Sequence, residues 1–403
     1  MSLELLKRRV TSLAFCNLFI VAVIGVVIRS YPLVSISFPS YKNLLHAHSH
    51  FAFGGWVLPV LFVLVLKYFP EVETGIALKH LKNIAGLMLV SAYGMLLSFP
   101  FQGYAAVSIS FSTLSILSTI YMAVVFWQAS STKKSASSIL FLRAGLVFLI
   151  LSSVGPFATG PLIAMGKTGS ALYYNAIYFY LHFQYNGWFT FAVLAVLYQT
   201  LERNHARVNS RLVFYLNAVA CIPAYFLSTL WSHPPVIFYI AAMAGAVIQV
   251  IALFLLLSDL RQIKWEKKFI RHIYQVSVIA FALKIILQLM SSFPGIADLA
   301  YAHRNFVIAY LHLVLLGFIS AFALAAMLNG NELKVKAVLR FGVILFFISF
   351  LLTEMLLVLE AAGLSTGFAG FSYPHLVFIF SLFFPIGAFL IWRYFAGTID
   401  PFF

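Results

Sequence analysis

The sequence predicts an all-α integral membrane protein, a bundle of twelve transmembrane helices, and three observations predict it. First, 63% of the chain is hydrophobic and only 9% is charged, with a mean hydropathy of +0.99. A soluble domain carries about a quarter charged residues. Second, apolar runs of the roughly 20 residues needed to cross a bilayer recur along the chain. Third, the 26 Lys and Arg residues are unevenly placed. With the N-terminus cytoplasmic, nearly all of them, including Lys7, Arg8, Arg9, Arg203, Arg211, Arg340 and Arg393, fall at cytoplasmic ends. Only Arg29, Lys42, Lys167 and Arg304 fall at the opposite ends, and Lys284 lies inside a span. Such a bias sets orientation. It puts both termini in the cytoplasm, which requires an even number of spans.

The spans are expected near 9–28, 44–69, 79–99, 108–130, 138–160, 171–199, 211–231, 235–258, 269–291, 303–328, 335–360 and 372–396. The first follows the basic "LLKRR" and has no small-residue cleavage site after it, so it reads as a retained span. The second opens at "LLHAHSHFAFGGW". The third and fourth are punctuated by "FPFQGYAAVS" (99–108), whose Pro and Gly mark a loop. The sixth contains "YFYLHFQYNGWF", the seventh closes at "STLWSHPPV", and "SSFPGIAD" (291–298) separates the ninth from the tenth. The tenth contains "NFVIAYLHLVLLGF". All linkers are short, so 1–403 reads as a single polytopic membrane domain. The 42 Phe and 20 Tyr read as lipid-facing packing and an interfacial belt.

A net charge of +15 would suit a nucleic-acid partner, but the sidedness of the basic residues explains it without one. Two cysteines, Cys16 and Cys221, give no disulfide framework and no thiolate metal motif. There is no Walker loop and no dinucleotide fingerprint.

The histidines carry the functional signal. His80, His205 and His272 sit at cytoplasmic ends, whereas His46, His48, His50, His182, His233, His303, His312 and His375 lie toward the outer face. His182 and His312 are each about ten residues into a span, roughly 15 Å deep at 1.5 Å per residue. Ionisable groups at that depth are costly and mark functional sites. The bland alternative is polar glue between helices. Within the spans only Glu354 and Glu360 offer carboxylates. Imidazole without carboxylate or thiolate suits zinc, copper or iron, haem iron included. On a helix His46 and His50 share a face and His48 points roughly the other way.

The pattern of "HSHFAFGGW", "HFQYNGW", "STLWSHPPV" and "AYLHLVLLG" resembles subunit I of the haem–copper oxidase superfamily, which includes the nitric oxide reductases. The resemblance implies twelve spans in a bacterial inner membrane and a low-spin b-type haem held by His48 or His50 together with His312. Another of His46, His48 and His50 could hydrogen-bond a propionate or line the outer surface. Arg304 could pair with a haem propionate, for which its fork suits it, or with a lipid headgroup. The resemblance further implies a second metal, copper or non-haem iron, on His182 and His233. Here the sequence departs from the family. Pro234 replaces the second histidine of the seventh-span pair, Tyr310 stands where a high-spin haem ligand is expected, and Asn186 stands where the nitric oxide reductases place an acid. Tyr185, Tyr310 and His303 are candidates to complete the site, and tyrosine can itself ligate a second haem.

The implied activity is respiratory electron transfer: electrons taken at the low-spin haem from a cytochrome c-type or quinol donor, with O2 or nitric oxide reduced at the second metal, alongside other membrane subunits. Two other readings compete. One is a non-catalytic haem or metal protein serving as electron carrier, sensor or accessory subunit. The other is a transporter, against which stands the lack of an inverted repeat or paired broken helices. Lys284 and Glu354 read as a proton path from the cytoplasm or, alternatively, as a buried ion pair or snorkelling lysine.

Overall fold

In a computed structural model, residues 2–130, 136–263, 267–329, 335–365 and 370–397 are described, and among them there are helices and turns but no strand. The principal helices are α1 (Leu3–Ser30), α2 (Tyr41–Tyr68), α3 (Leu78–Gln102), α4 (Ala106–Ala129), α5 (Ser137–Ala164), α6 (171–203), α7 (Ser210–Cys221), α8 (Val236–Leu260), α9 (Lys268–Met290), α10 (Arg304–Leu328), α11 (Ala337–Ala361) and α12 (Tyr373–Ala396). Serine side chains cap three of them. Ser2, Ser40 and Ser170, in extended conformations, accept hydrogen bonds from the backbone amides of Leu5, Asn43 and Tyr173, satisfying a donor that the first helical turn leaves open.

Ten of these helices are long and apolar enough to cross a membrane, which makes this a multi-pass membrane protein. The expectation of twelve such spans meets two exceptions among the described residues. Helix α6 is continuous but carries Tyr173, Tyr174, Asn175, Gln184 and Asn186, which dilute its hydropathy. Helix α7 is only 12 residues long. It ends just before Pro223, which lacks an amide proton and opens a 3-10 turn over Pro223–Ser228, followed by another over Leu230–Ser232.

The chain forms two compact units, one of Met1–Leu66, Ile76–Met122 and Ala326–Phe403, the other of Lys67–Gly75 and Ala123–Ala325. In the first, α1 packs on α2 and α12, and α11 packs on α12. Phe15 stacks on Phe395 with ring centroids 4.1 Å apart. The α11–α12 crossing is a small-residue contact: a Cβ on Gly387 would stand 2.8 Å from both the Gly342 oxygen and the Phe346 nitrogen. Close backbone approach of this kind is how helices adhere where lipid removes the hydrophobic drive.

In the second unit α6 is enclosed along almost all of its latter half, from His182 to Gln199. Phe141 of α5 stacks on Tyr198 at 5.0 Å. Below it the buried Asp259 carboxylate accepts hydrogen bonds from the Tyr198 hydroxyl at 2.9 Å and from the Asn209 backbone and side-chain amides at 3.0 to 3.1 Å.

Candidate functional site

Helices α2, α6 and α10 share a local feature that places their histidines. Each turns from α to π geometry next to a histidine: at Ala52–Val57 after His50, at Phe183–Phe189 after His182, and at Leu313–Ser320 after His312. A π turn is rare and concentrates at functional sites. It displaces carbonyls from the regular ladder, and in a membrane those groups need partners. They have them. Asn17 donates to the Gly55 carbonyl at 2.6 Å, Thr190 to Tyr185 at 2.6 Å, Ser320 to Leu315 at 2.7 Å, and Ser277 to Phe318 at 2.8 Å. The sequence contains a signal for this: "HFAFGGW", "HFQYNGW" and "HLVLLGF" each run from His to a Gly five residues on and an aromatic after it.

In the first unit the three histidines of α2 divide as helical spacing requires. The His50 ring stacks on Phe99 at 4.6 Å, and its Nε2 is hydrogen-bonded to the Tyr104 hydroxyl at 2.8 Å. His46 meets Tyr104 edge-on at 4.8 Å. His48 faces the other way, toward α1, where a Cβ on Gly25 would lie 3.3 Å from its Cε1. Gly25 therefore leaves the space that the His48 ring uses. Glu354 and Glu360 of α11 lie within the electrostatic range of Arg29 on α1.

In the second unit His182 is 1% exposed, and both of its ring nitrogens are engaged. Nε2 donates to the Cys221 carbonyl at 2.8 Å, and Nδ1 accepts from the Asn186 amide at 3.0 Å. Tyr225 and Tyr185 surround it, at ring-centroid distances of 5.9 and 6.4 Å. Tyr185 and Tyr310 are brought together edge to face at 6.0 Å. His312 is half-buried at the α–π junction of α10.

The structure does not bring His233 to His182. The 3-10 turn before it and the two prolines after it carry His233 to the surface in a left-handed conformation (φ 48°). Its side chain is 70% exposed and lies 3.9 Å from Asp298. His303 and Arg304 are also exposed, with His303 capping the start of α10. Among the described residues no three His, Cys, Asp or Glu side chains converge closely enough to hold a metal. The residues present do not fit the metal set of His182 and His233.

Two residues near His182 stand outside the ligand set implied by the motifs. Cys221 Sγ lies 4.0 Å from His182 Nε2. Lys284 of α9 is 1% exposed, sits over the Phe281 ring at 5.3 Å, and acts electrostatically on both Cys221 and His182. Cys221 and His182 are 39 residues apart, so spacing alone carried no sign of their contact.

No protein-family model matches the sequence, and no curated protein matches it. Solved structures do. A heme-copper terminal oxidase, whose dimer was determined by cryo-EM, is similar over 99% of this chain and 85% of its own, with a TM-score of 0.72 and 13% sequence identity. The chain therefore has a haem–copper oxidase subunit I-like fold. The resemblance read from the motifs holds at the level of architecture.

Proposed function

We propose that the chain is a membrane oxidoreductase that takes up electrons at a low-spin b-type haem. One observation supports this most: a haem–copper oxidase-like fold in which the π turns of three principal helices each adjoin a histidine. The ligand candidates implied by the motif resemblance are His48 or His50, together with His312. A pair of imidazoles suits low-spin haem iron, and haem so held would supply one-electron transfer. The polypeptide supplies the ring orientations: the Asn17 bond to Gly55 and the Ser277 bond to Phe318 hold the π turns beside His50 and His312. Electrons would come from a cytochrome c-type or quinol donor, and O2 or nitric oxide would accept them.

The test is a reduced-minus-oxidised spectrum with a pyridine haemochrome count. A b-type Soret and α band, lost in His312→Ala, supports the reading; no Soret band overturns it. Separate His48→Ala and His50→Ala variants identify the α2 ligand. Gas consumption with a reduced donor tests the acceptor.

A second reading, an electron carrier or accessory subunit without gas chemistry, is favoured by the exposure of His233 and by Tyr310 in place of a haem ligand. One haem with no gas consumption selects it. The proposal includes twelve spans in a bacterial inner membrane with both termini cytoplasmic, α6 and α7 being the two crossings that hydropathy alone leaves out. Reporter fusions in the loops on either side of α6 and α7 test that topology.

A further inference from the structure

Helices α6, α8, α9 and α10 leave an apolar crevice of about 320 Å³ in the second unit. Its floor is two buried ring pairs, with centroids 4.7 Å apart for Phe281 and Phe318 and 6.2 Å apart for Tyr274 and Phe322. Leu257 and Leu260 of α8 and Val278 of α9 are half-buried along its sides. Phe254, one turn along α8 from Leu257, is 68% exposed, so this side of α8 faces hydrocarbon in a membrane. Lipid chains reach such a crevice, and packing contacts rather than a hydrophobic drive decide which of them stay.

The same helix faces run into a cluster of cations. On α9 the crevice residues Phe281, Val278 and Tyr274 recur at intervals of three and four, and the next position on that face is Arg271. At 1.5 Å per residue, Arg271 stands about 5 Å beyond Tyr274 along the axis. On α8, Arg261 follows Leu257 by four residues and closes the helix. Lys268 opens α9. Gln262 donates to the Arg207 carbonyl, which draws the segment between α6 and α7 to the same place. The side chains of Arg207, Arg261, Lys268 and Arg271 are exposed, and none forms an ion pair among the described residues. No acid stands in the first turn of α9. The Asp259 carboxylate at the end of α8 is buried and taken up by Tyr198 and Asn209.

We propose that the crevice and the cations bordering it hold one anionic phospholipid, with its phosphate against Arg261 and Arg271 and an acyl chain in the crevice. The guanidinium fork suits a phosphate, and basic pockets between membrane helices bind anionic headgroups. The crevice adds what a bare cationic surface lacks, a place for the chain beside the charge. A zwitterionic lipid also fits the crevice but brings its own cation to the cluster. The site is independent of the haem reading.

The experiment offers the purified protein, in micelles, equal amounts of dioleoylphosphatidylglycerol and dioleoylphosphatidylcholine and counts the retained lipids by native mass spectrometry. One phosphatidylglycerol per chain, retained in preference to phosphatidylcholine, is expected. Each Lys or Arg beside an anionic headgroup contributes about a five-fold factor, so Arg261→Gln combined with Arg271→Gln lowers the preference about 25-fold. Lys79→Gln combined with Lys82→Gln, the same change of charge at the start of α3, leaves it unaltered. Leu257→Trp fills the crevice and releases the lipid with every cation in place. Glycerol 3-phosphate, which has the charge but no chain, does not displace it. Equal retention of the two lipids, an equal loss in the α3 variant, retention in Leu257→Trp, or displacement by glycerol 3-phosphate overturns the proposal. The competition on the wild type needs no substitution, so it decides the matter even where a variant fails to fold.

Discussion

Asn17→Leu isolates the bond that holds the π turn of α2. Asn17 is 0% exposed. Its amide donates to the Gly55 carbonyl at 2.6 Å, and its Oδ1 accepts from the Tyr93 hydroxyl at 2.6 Å. One side chain thus ties α1 to the π turn of α2 and to α3. Leucine has a similar volume, so the substitution removes the two hydrogen bonds with little cavity cost. Hydrogen bonds between membrane helices contribute about 0.6 kcal/mol on average and up to about 1.7. Two of them give an expected loss of about 1–3 kcal/mol. Equilibrium unfolding in mixed micelles measures it.

The bonds share Asn17, so Tyr93→Phe completes a double-mutant cycle. Tyr93→Phe alone is expected to cost about 0.6 kcal/mol or more, and almost nothing in the Asn17→Leu background, where its partner is already gone. Because the Gly55 carbonyl belongs to the turn that follows His50, the proposed haem reading further expects an altered Soret band in the Asn17→Leu protein. Additivity of the two substitutions within about 0.5 kcal/mol would refute the reasoning, since it would mean that the three groups do not act as one network.

Asp259→Asn places an amide against the Asn209 backbone N–H and the Tyr198 hydroxyl; a loss of about 1.5–3 kcal/mol is expected for charge-assisted bonds of this kind, read by the same unfolding assay. Gly387→Ala drives a methyl into backbone atoms of α11 that cannot step aside and is expected to destabilise the first unit by about 1–3 kcal/mol, visible as a lowered thermal midpoint. Arg143→Met removes a guanidinium that lies 4.7 Å over Trp127 and whose Nε donates to Ser130 at 3.2 Å. Its cost is expected at about 0.5–1 kcal/mol, with Trp127 fluorescence changed.

Much of the helix map was legible because hydropathy is a local property. The eighth and ninth spans, expected at 235–258 and 269–291, lie at Val236–Leu260 and Lys268–Met290. The motif resemblance also pointed to the right architecture. Helices α6 and α7 were read as ordinary spans, but the polar side chains of α6 and the Pro223 break in α7 set them apart from the other ten. The site was legible only in part. Histidine depth singled out His182 and His312, yet similarity of spacing tied His182 to His233, and that histidine lies at the surface. Cys221 gave no motif, so its contact with His182 had no linear trace.

The sequence by itself determined that this chain is a helical membrane protein with histidines set deep in otherwise apolar spans. Hydropathy, charge sidedness and residue identity are properties of single positions, and they survive without neighbours. Tertiary structure alone decided what those histidines touch. His182 is engaged by Asn186 one turn away but also by the Cys221 carbonyl from another helix, and the carbonyls freed by the π turns are taken up in part by Asn17 and Ser277 from other helices. Hydrogen bonds and metal ligands act over about 3 Å, a distance that helix packing sets and sequence separation does not.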